Sequence, residues 1–173
     1  GNIWSTVPVA QGSYANLSGT SMAAPQVAGA AALIRLAHPM WTVEQVKTAL
    51  MNTGAVLMDT TGVPYSPRLQ GAGRINVYNA LHTDVTVTSQ LDGKAAVALG
   101  SVESWQTDPI TFPLVLHNAG STDVSYDVTG TVQWVNAGGT ATSYAIAGAT
   151  FAASPSSVTV PAGGSRTVSI QID

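Results

Sequence analysis

Residues 21–37 read Ser-Met-Ala-Ala-Pro-Gln-Val-Ala-Gly-Ala-Ala-Ala-Leu-Ile-Arg-Leu-Ala. No polar stripe divides this run. Small and branched apolar side chains fall on every side of the helix they would form, and such a helix must be buried on most of its circumference. Pro25, Gln26 and Arg35 interrupt it, and it falls short of the roughly 20 residues that cross a bilayer. The run therefore predicts a core helix and no membrane span. It ends at His38-Pro39, because the residue before a proline is pushed out of the α region. Pro25 lies near its start, where a missing N–H that leaves the Ser21 carbonyl free is tolerable.

The remainder of residues 1–82 reads as helices and loops. Trp41-Thr42-Val43-Glu44-Gln45-Val46 is a helix start, with Thr42 as N-cap, Gln45 completing a capping box, and Trp41 and Val46 at staple positions. Val43, Val46 and Leu50 form one face, opposite Glu44, Lys47 and Thr48. Gly54 is a fitting stop. Residues 58–70 read as loop. Gly71-Ala72-Gly73-Arg74-Ile75-Asn76-Val77 reads as a short strand or turn, with Asn76 placed to cap a last helical turn through Leu81.

From Asp84 the period changes to two. Val85 and Val87 alternate with Thr. Phe112, Leu114 and Leu116 share one strand face, and Val124, Tyr126 and Val128 another. Val132 and Trp134 follow, then Val158, Val160, Val168 and Ile170. Asn118-Ala119-Gly120-Ser121, Asn136-Ala137-Gly138-Gly139 and Ala162-Gly163-Gly164-Ser165 punctuate them as turns. Short alternating strands with such turns argue a β-sandwich. Pro109, Pro113, Pro155 and Pro161 are expected at strand ends or edges. Residues 140–153 carry no clear pattern. The boundary between the halves falls near His82-Thr83-Asp84.

Composition narrows the function classes. The chain is 45% hydrophobic and 9% charged, against roughly 25% charged in ordinary domains, which suits large buried surfaces. A net charge of -3 with no Lys/Arg run gives no electrostatic case for nucleic acid or anionic membrane. The absence of cysteine excludes disulfides, thiolate metal sites and redox motifs. Asp84, Asp92, Asp108, Asp123 and Asp127 read as loop and turn acids and show no EF-hand spacing. No metal and no cofactor are expected, with calcium in a longer parent left open. Trp4, Trp41, Trp105 and Trp134 read as packing residues. The abrupt opening, without Met, basic or apolar leader segments, suggests a piece of something longer.

The chemistry lies at the head of the apolar helix. A serine hydroxyl needs a base to take its proton, and donors aimed at the developing oxyanion. A helix N-terminus offers unpaired N–H groups and a positive dipole end. On helix physics alone Ser21 is equally a cap or a nucleophile. The strand-first nucleophile elbow is disfavoured, because residues 14–18 make a poor hydrophobic strand. A Ser-x-x-Lys pair is excluded by Ala24.

The order Gly19-Thr20-Ser21-Met22-Ala23-Ala24-Pro25-Gln26-Val27-Ala28-Gly29 fits a third pattern, Gly-Thr-Ser-Met-Ala-x-Pro-x-Val-Ala-Gly, at every specified position. Gly1-Asn2-Ile3-Trp4-Ser5-Thr6, His38-Pro39-x-Trp41-Thr42 and Gly71-x-Gly73-x-Ile75-Asn76-Val77-x-x-Ala80 flank it. On these residues, 1–82 resembles the C-terminal part of a subtilisin-like (subtilase) catalytic domain. Residues 83–173 resemble the fibronectin-III-like domain of cell-envelope subtilases, through Ser154-Pro155, Val158-x-Val160-Pro161-Ala162-Gly163-Gly164 and Val168. The fold implied is an α/β remnant of a parallel-sheet domain followed by an all-β sandwich.

The resemblance implies peptide-bond hydrolysis by an Asp-His-Ser triad in that chain order. Ser21 becomes the nucleophile and a backbone oxyanion donor. Thr20 supports the hole, Gly19 clears room for substrate, and Met22 is an oxidation-sensitive neighbour. The triad Asp, the His and the oxyanion Asn precede the serine in this family. Residues 1–20 hold no Asp or His, and Asn2 and Asn16 lack the oxyanion context. His38, His82 and His117 read as structural. The piece alone is therefore expected to be inactive.

The parent is expected to be a secreted or cell-surface, bacterial endopeptidase acting on polypeptides. The alternative is a non-catalytic spacer or adhesion module on a degenerate subtilase scaffold. In subtilases the helix at 21–37 is buried against a parallel sheet. Here it is expected to find cover on the sandwich, on a second copy, or on further chain.

Overall fold

The computed structural model describes residues 2–99, 108–135, 143–145 and 148–173. These form two compact units, Gly1–Trp41 and Thr42–Asp173. Trp105, the turn at 136–139 and most of 140–147 lie outside the described residues.

The first unit opens with a hairpin that the reading of helices and loops did not contain. Strands β1 (Ile3–Thr6) and β2 (Tyr14–Leu17) pair antiparallel, with Ile3 opposite Leu17 and Thr6 opposite Tyr14. A single 3₁₀ turn at Val9–Gln11 joins them, closed by Val7 N–H donating to the Ser13 carbonyl at 2.9 Å. Trp4 and Tyr14 stack across the ribbon, 6.0 Å between centroids and 8° between planes. Helix α1 (Thr20–Ala37) follows and ends at His38, as the following proline requires.

The burial expected of α1 is not met among the described residues. Only Ala30 and Ile34 are buried, and Val27, Leu33 and Leu36 are 42%, 51% and 80% exposed. A helix apolar on all sides needs neighbours on all sides, and the described residues do not provide them. No described helix is long and apolar enough to cross a membrane. After α1, His38 stacks on buried Trp41 at 3.9 Å, and Arg35 donates to the Trp41 carbonyl.

The second unit begins with helix α2 (Val43–Asn52) and its complete capping box. Thr42 Oγ1 accepts from Gln45 N–H at 3.2 Å, and Gln45 Oε1 accepts from Thr42 N–H at 2.8 Å. The buried face is turned relative to the expected one. Val46, Thr48, Ala49 and Leu50 are buried, whereas Val43 is 77% exposed. The reason is that α2 packs on two neighbours, helix α4 (Val77–His82) and strand β3 (Val85–Ser89). Asn52 Oδ1 accepts the Val87 N–H at 2.7 Å.

Between these helices, 58–70 is not all loop. Ser66 caps a one-turn helix, α3 (Pro67–Gln70), with proline at its first position. Asp59 Oδ1 gathers Thr61 N–H, Thr61 Oγ1 and Val63 N–H within 2.9 Å, and the Thr61 bond leads in holding its carboxyl below the usual range. Ala55 and Arg74 exchange two backbone bonds of 2.8 Å. That approach explains two glycines: a Cβ on Gly54 would run into the Ala72 carbonyl, and one on Gly73 into the Ala55 carbonyl. Asn76 Oδ1 caps α4 through Asn79 N–H at 3.0 Å.

The period-two reading holds for Val158 and Val160 and for Val168 and Ile170, buried two apart, but not for the neighbours Val85 and Thr86, which are both buried. Strands β4 (Ile110–Asn118), β8 (Phe151–Ser154) and β10 (Ser165–Ile172) join β3 in an antiparallel sheet of order β3-β4-β10-β8. Strands β5 (Val124–Asp127) and β9 (Ser157–Val160) form a second, β6 (Gln133–Val135) and β7 (Ser143–Ala145) a third. One core takes Val85, Leu116, Val168 and Ile170 from the four-stranded sheet and Val158 and Val160 from β9. Pro113 corrects one expectation by lying inside β4. Its carbonyl accepts from Gln90 N–H, just past the end of β3. A strand residue's nitrogen and oxygen point the same way, so the missing N–H faces a side where pairing has stopped.

Candidate active site

Strand β2 delivers the chain to the site. Its last residue, Leu17, is followed by Ser18 and then by Gly19, whose φ of 150° and ψ of 169° belong to a region that side-chain-bearing residues avoid. This glycine turns the strand into the helix. Its carbonyl accepts from Met22 N–H at 3.1 Å and Ala23 N–H at 3.2 Å. No side chain caps the end, so the first-turn N–H groups of Thr20 and Ser21 remain as donors without helical acceptors.

Ser21 is the second residue of α1, and it is exposed together with Gly19 and Thr20, while Met22 is half-buried beside it. Pro25 sits inside the helix and supplies no N–H toward the Ser21 carbonyl. An exposed hydroxyl, its own free N–H and the helix dipole meet at one point. A hydroxyl in such a place still needs a base to become a nucleophile.

Each of the three histidines has a partner nearby. His38 ends the helix that Ser21 begins, about 25 Å away at 1.5 Å per residue, and stacks on Trp41. His82 Nδ1 meets the Tyr78 carbonyl, one turn earlier in its own helix, at 2.8 Å. His117 Nδ1 meets Ser165 Oγ across the β4–β10 pair at 2.8 Å. Two of the turn acids are likewise engaged. Asp123 Oδ1 accepts from Ala162 N–H at 2.9 Å, and Asp92 accepts from Lys94 N–H and pairs with its ammonium group. Asn16 is paired opposite Trp4 in the hairpin.

Asn2, which the sequence offers only as an oxyanion candidate without the right context, is bonded to Ser18, three residues before Ser21. Its N–H donates to Ser18 Oγ at 2.7 Å, and that hydroxyl lies 3.3 Å from Asn2 Oδ1. The signal was faint: two short polar residues bounding two four-residue segments whose strand character was itself missed.

With this geometry in view, the similarity to known proteins has a place to attach. Residues 1–73 match the subtilase family. The matched segment spans the hairpin, Ser21 with its helix, and the paired glycines at 54 and 73. Minor extracellular protease Vpr of Bacillus subtilis is 44% identical over 91 residues, which is 50% of this chain and 11% of that protein. C5a peptidase of Streptococcus pyogenes serotype M1 is 31% identical over 175 aligned residues, 95% of this chain and 14% of that one. Subtilisin-like protease SBT5.6 of Arabidopsis thaliana is 42% identical over 67 residues, 35% of this chain and 8% of that protein. The chain thus spans a small fraction of each relative's length. The subtilase match covers the segment around Ser21, and the C5a peptidase alignment continues through the strands.

Proposed function

We propose that these residues are part of a secreted or cell-surface, subtilisin-like serine endopeptidase, with Ser21 as the nucleophile. Ser21 Oγ attacks the scissile carbonyl, and its proton passes to a histidine oriented by an aspartate, as in the Ser-His-Asp template of which subtilisin is a standard example. The Ser21 N–H donates to the oxyanion, Thr20 supports that hole, and Gly19 leaves room for a substrate backbone. The triad Asp, the His and the oxyanion Asn come from chain outside residues 1–173, and this piece alone does not hydrolyse peptides. Residues 1–82 are the C-terminal part of the catalytic domain, and 83–173 are a fibronectin-III-like sandwich. Further chain covers α1. The substrate is polypeptide, as the relatives' names indicate for them.

The observation that carries this reading is an exposed Ser21 in the first turn of α1, within a segment matching the subtilase family. The word extracellular in the name of the Vpr relative supports the location. The test is a fluorophosphonate probe on the protein expressed with its preceding chain. Ser21 is expected to label, Ser21→Ala to stay dark, and residues 1–173 alone to label far more slowly. A folded, longer protein in which Ser21 stays unlabelled sinks the nucleophile role and favours a non-catalytic module.

A further inference from the structure

The hairpin before Ser21 has one closed and one open end. The closed end is the turn, tied by Val7 and Ser13. The open end is the pair Ile3–Leu17, where the backbone ladder stops. The open end is the one attached to Ser21. Among the described residues no third strand flanks this ribbon, and a two-stranded ribbon is marginal alone. Fraying would begin at Leu17, four positions before Ser21.

At that end the ladder gives way to side chains. Asn2 holds a φ of 60°, uncommon for a residue with a side chain. This aims both its N–H and its amide oxygen at Ser18. The Ser18 hydroxyl accepts from the former at 2.7 Å and donates to the latter at 3.3 Å. One hydroxyl thus closes the hairpin. Beyond it only Gly19 and Thr20 separate the clasp from Ser21, and glycine is the residue with the most freedom to lose.

We infer that Asn2 and Ser18 are positioning residues: their clasp fixes the end of β2, and through Gly19 it fixes where Ser21 Oγ stands against its base and oxyanion donors. Neither touches substrate. The inference rests on the reading of Ser21 as nucleophile. Small displacements of a reacting group cost rate rather than affinity, so the clasp acts on kcat and leaves KM alone.

The test uses the protein expressed with its preceding chain, a peptide substrate, and a serine titrant to count competent sites. Ser18→Ala removes both bonds without altering backbone preference. Asn2→Gly removes the acceptor while tolerating the positive φ, which Asn2→Ala would not. Per titrated site, Ser18→Ala is expected to lower kcat by about 3- to 10-fold with KM unchanged. Ser18→Thr, which keeps the hydroxyl, restores it. The double variant is expected to be no slower than Ser18→Ala, because both changes break one clasp. A purely structural role would reduce the count of competent sites or the melting temperature and leave kcat per site intact, and that result overturns the inference. Equal kcat in wild type and Ser18→Ala overturns it too. Wild-type reactivity no greater than that of Ser21→Ala overturns the nucleophile reading itself, and the clasp with it.

Discussion

Gly19 shows how much of the site rests on a single backbone conformation. A Cβ there would meet nothing closer than Met22 Sδ at 3.9 Å, an ordinary contact. Space is therefore not the obstacle; the φ of 150° is. Gly19→Ala is expected to cost about 1–3 kcal/mol in backbone strain or to shift the first turn of α1. Either outcome slows fluorophosphonate labelling of Ser21 in the longer protein, and unchanged labelling would show that the turn accepts a side chain. The sequence makes this residue legible as part of the motif from Gly19 to Gly29, whereas its positive φ is given only by the structure. The clasp was illegible for another reason. Asn2 and Ser18 lie 16 positions apart, and they become partners only once the register of β1 on β2 is known.

At the scale of elements, local signals read well and weakly periodic ones did not. The capping box of α2 was fully written in Thr42 and Gln45, and both bonds form. Thr42→Ala removes the cap oxygen that receives Gln45 N–H and is expected to destabilise the second unit by about 0.5–2 kcal/mol. Urea denaturation followed by far-ultraviolet circular dichroism measures this; an unchanged midpoint would mean that α2 is held by packing alone. The hairpin β1–β2 escaped notice because both its faces carry large side chains. Trp4 and Tyr14 share one face, Ile3 and Leu17 the other, so no apolar-polar alternation exists to detect. Helix α3 escaped because four residues are too few for a helical period, though Ser66-Pro67 is an adequate start signal. The turned face of α2 follows from contacts with β3 and α4, elements that periodicity along one helix cannot see.

For the whole molecule, the sheet order β3-β4-β10-β8 could not have been read from the pattern, since it pairs Ile110 with Ile172, 62 positions later in the chain. What is legible is the mismatch at α1, an apolar helix with too few neighbours among the described residues. Leu33 and Leu36 are exposed, and a patch of this kind rarely stays solvated. Residues 1–173 alone are expected to self-associate at micromolar concentration, and Leu33→Lys with Leu36→Lys to shift them toward monomer by light scattering. A monodisperse wild-type monomer under the same conditions would mean that the patch is tolerated. A different consequence follows from the bond between Asn52 Oδ1 and the Val87 amide. The change of period near His82 marks a seam in the text of the chain, yet the seam is stitched. Shortening the gene at that point would leave β3 without the helix and the amide acceptor that it packs against. Anyone grafting the strand-rich half onto another enzyme should carry α2 along with it.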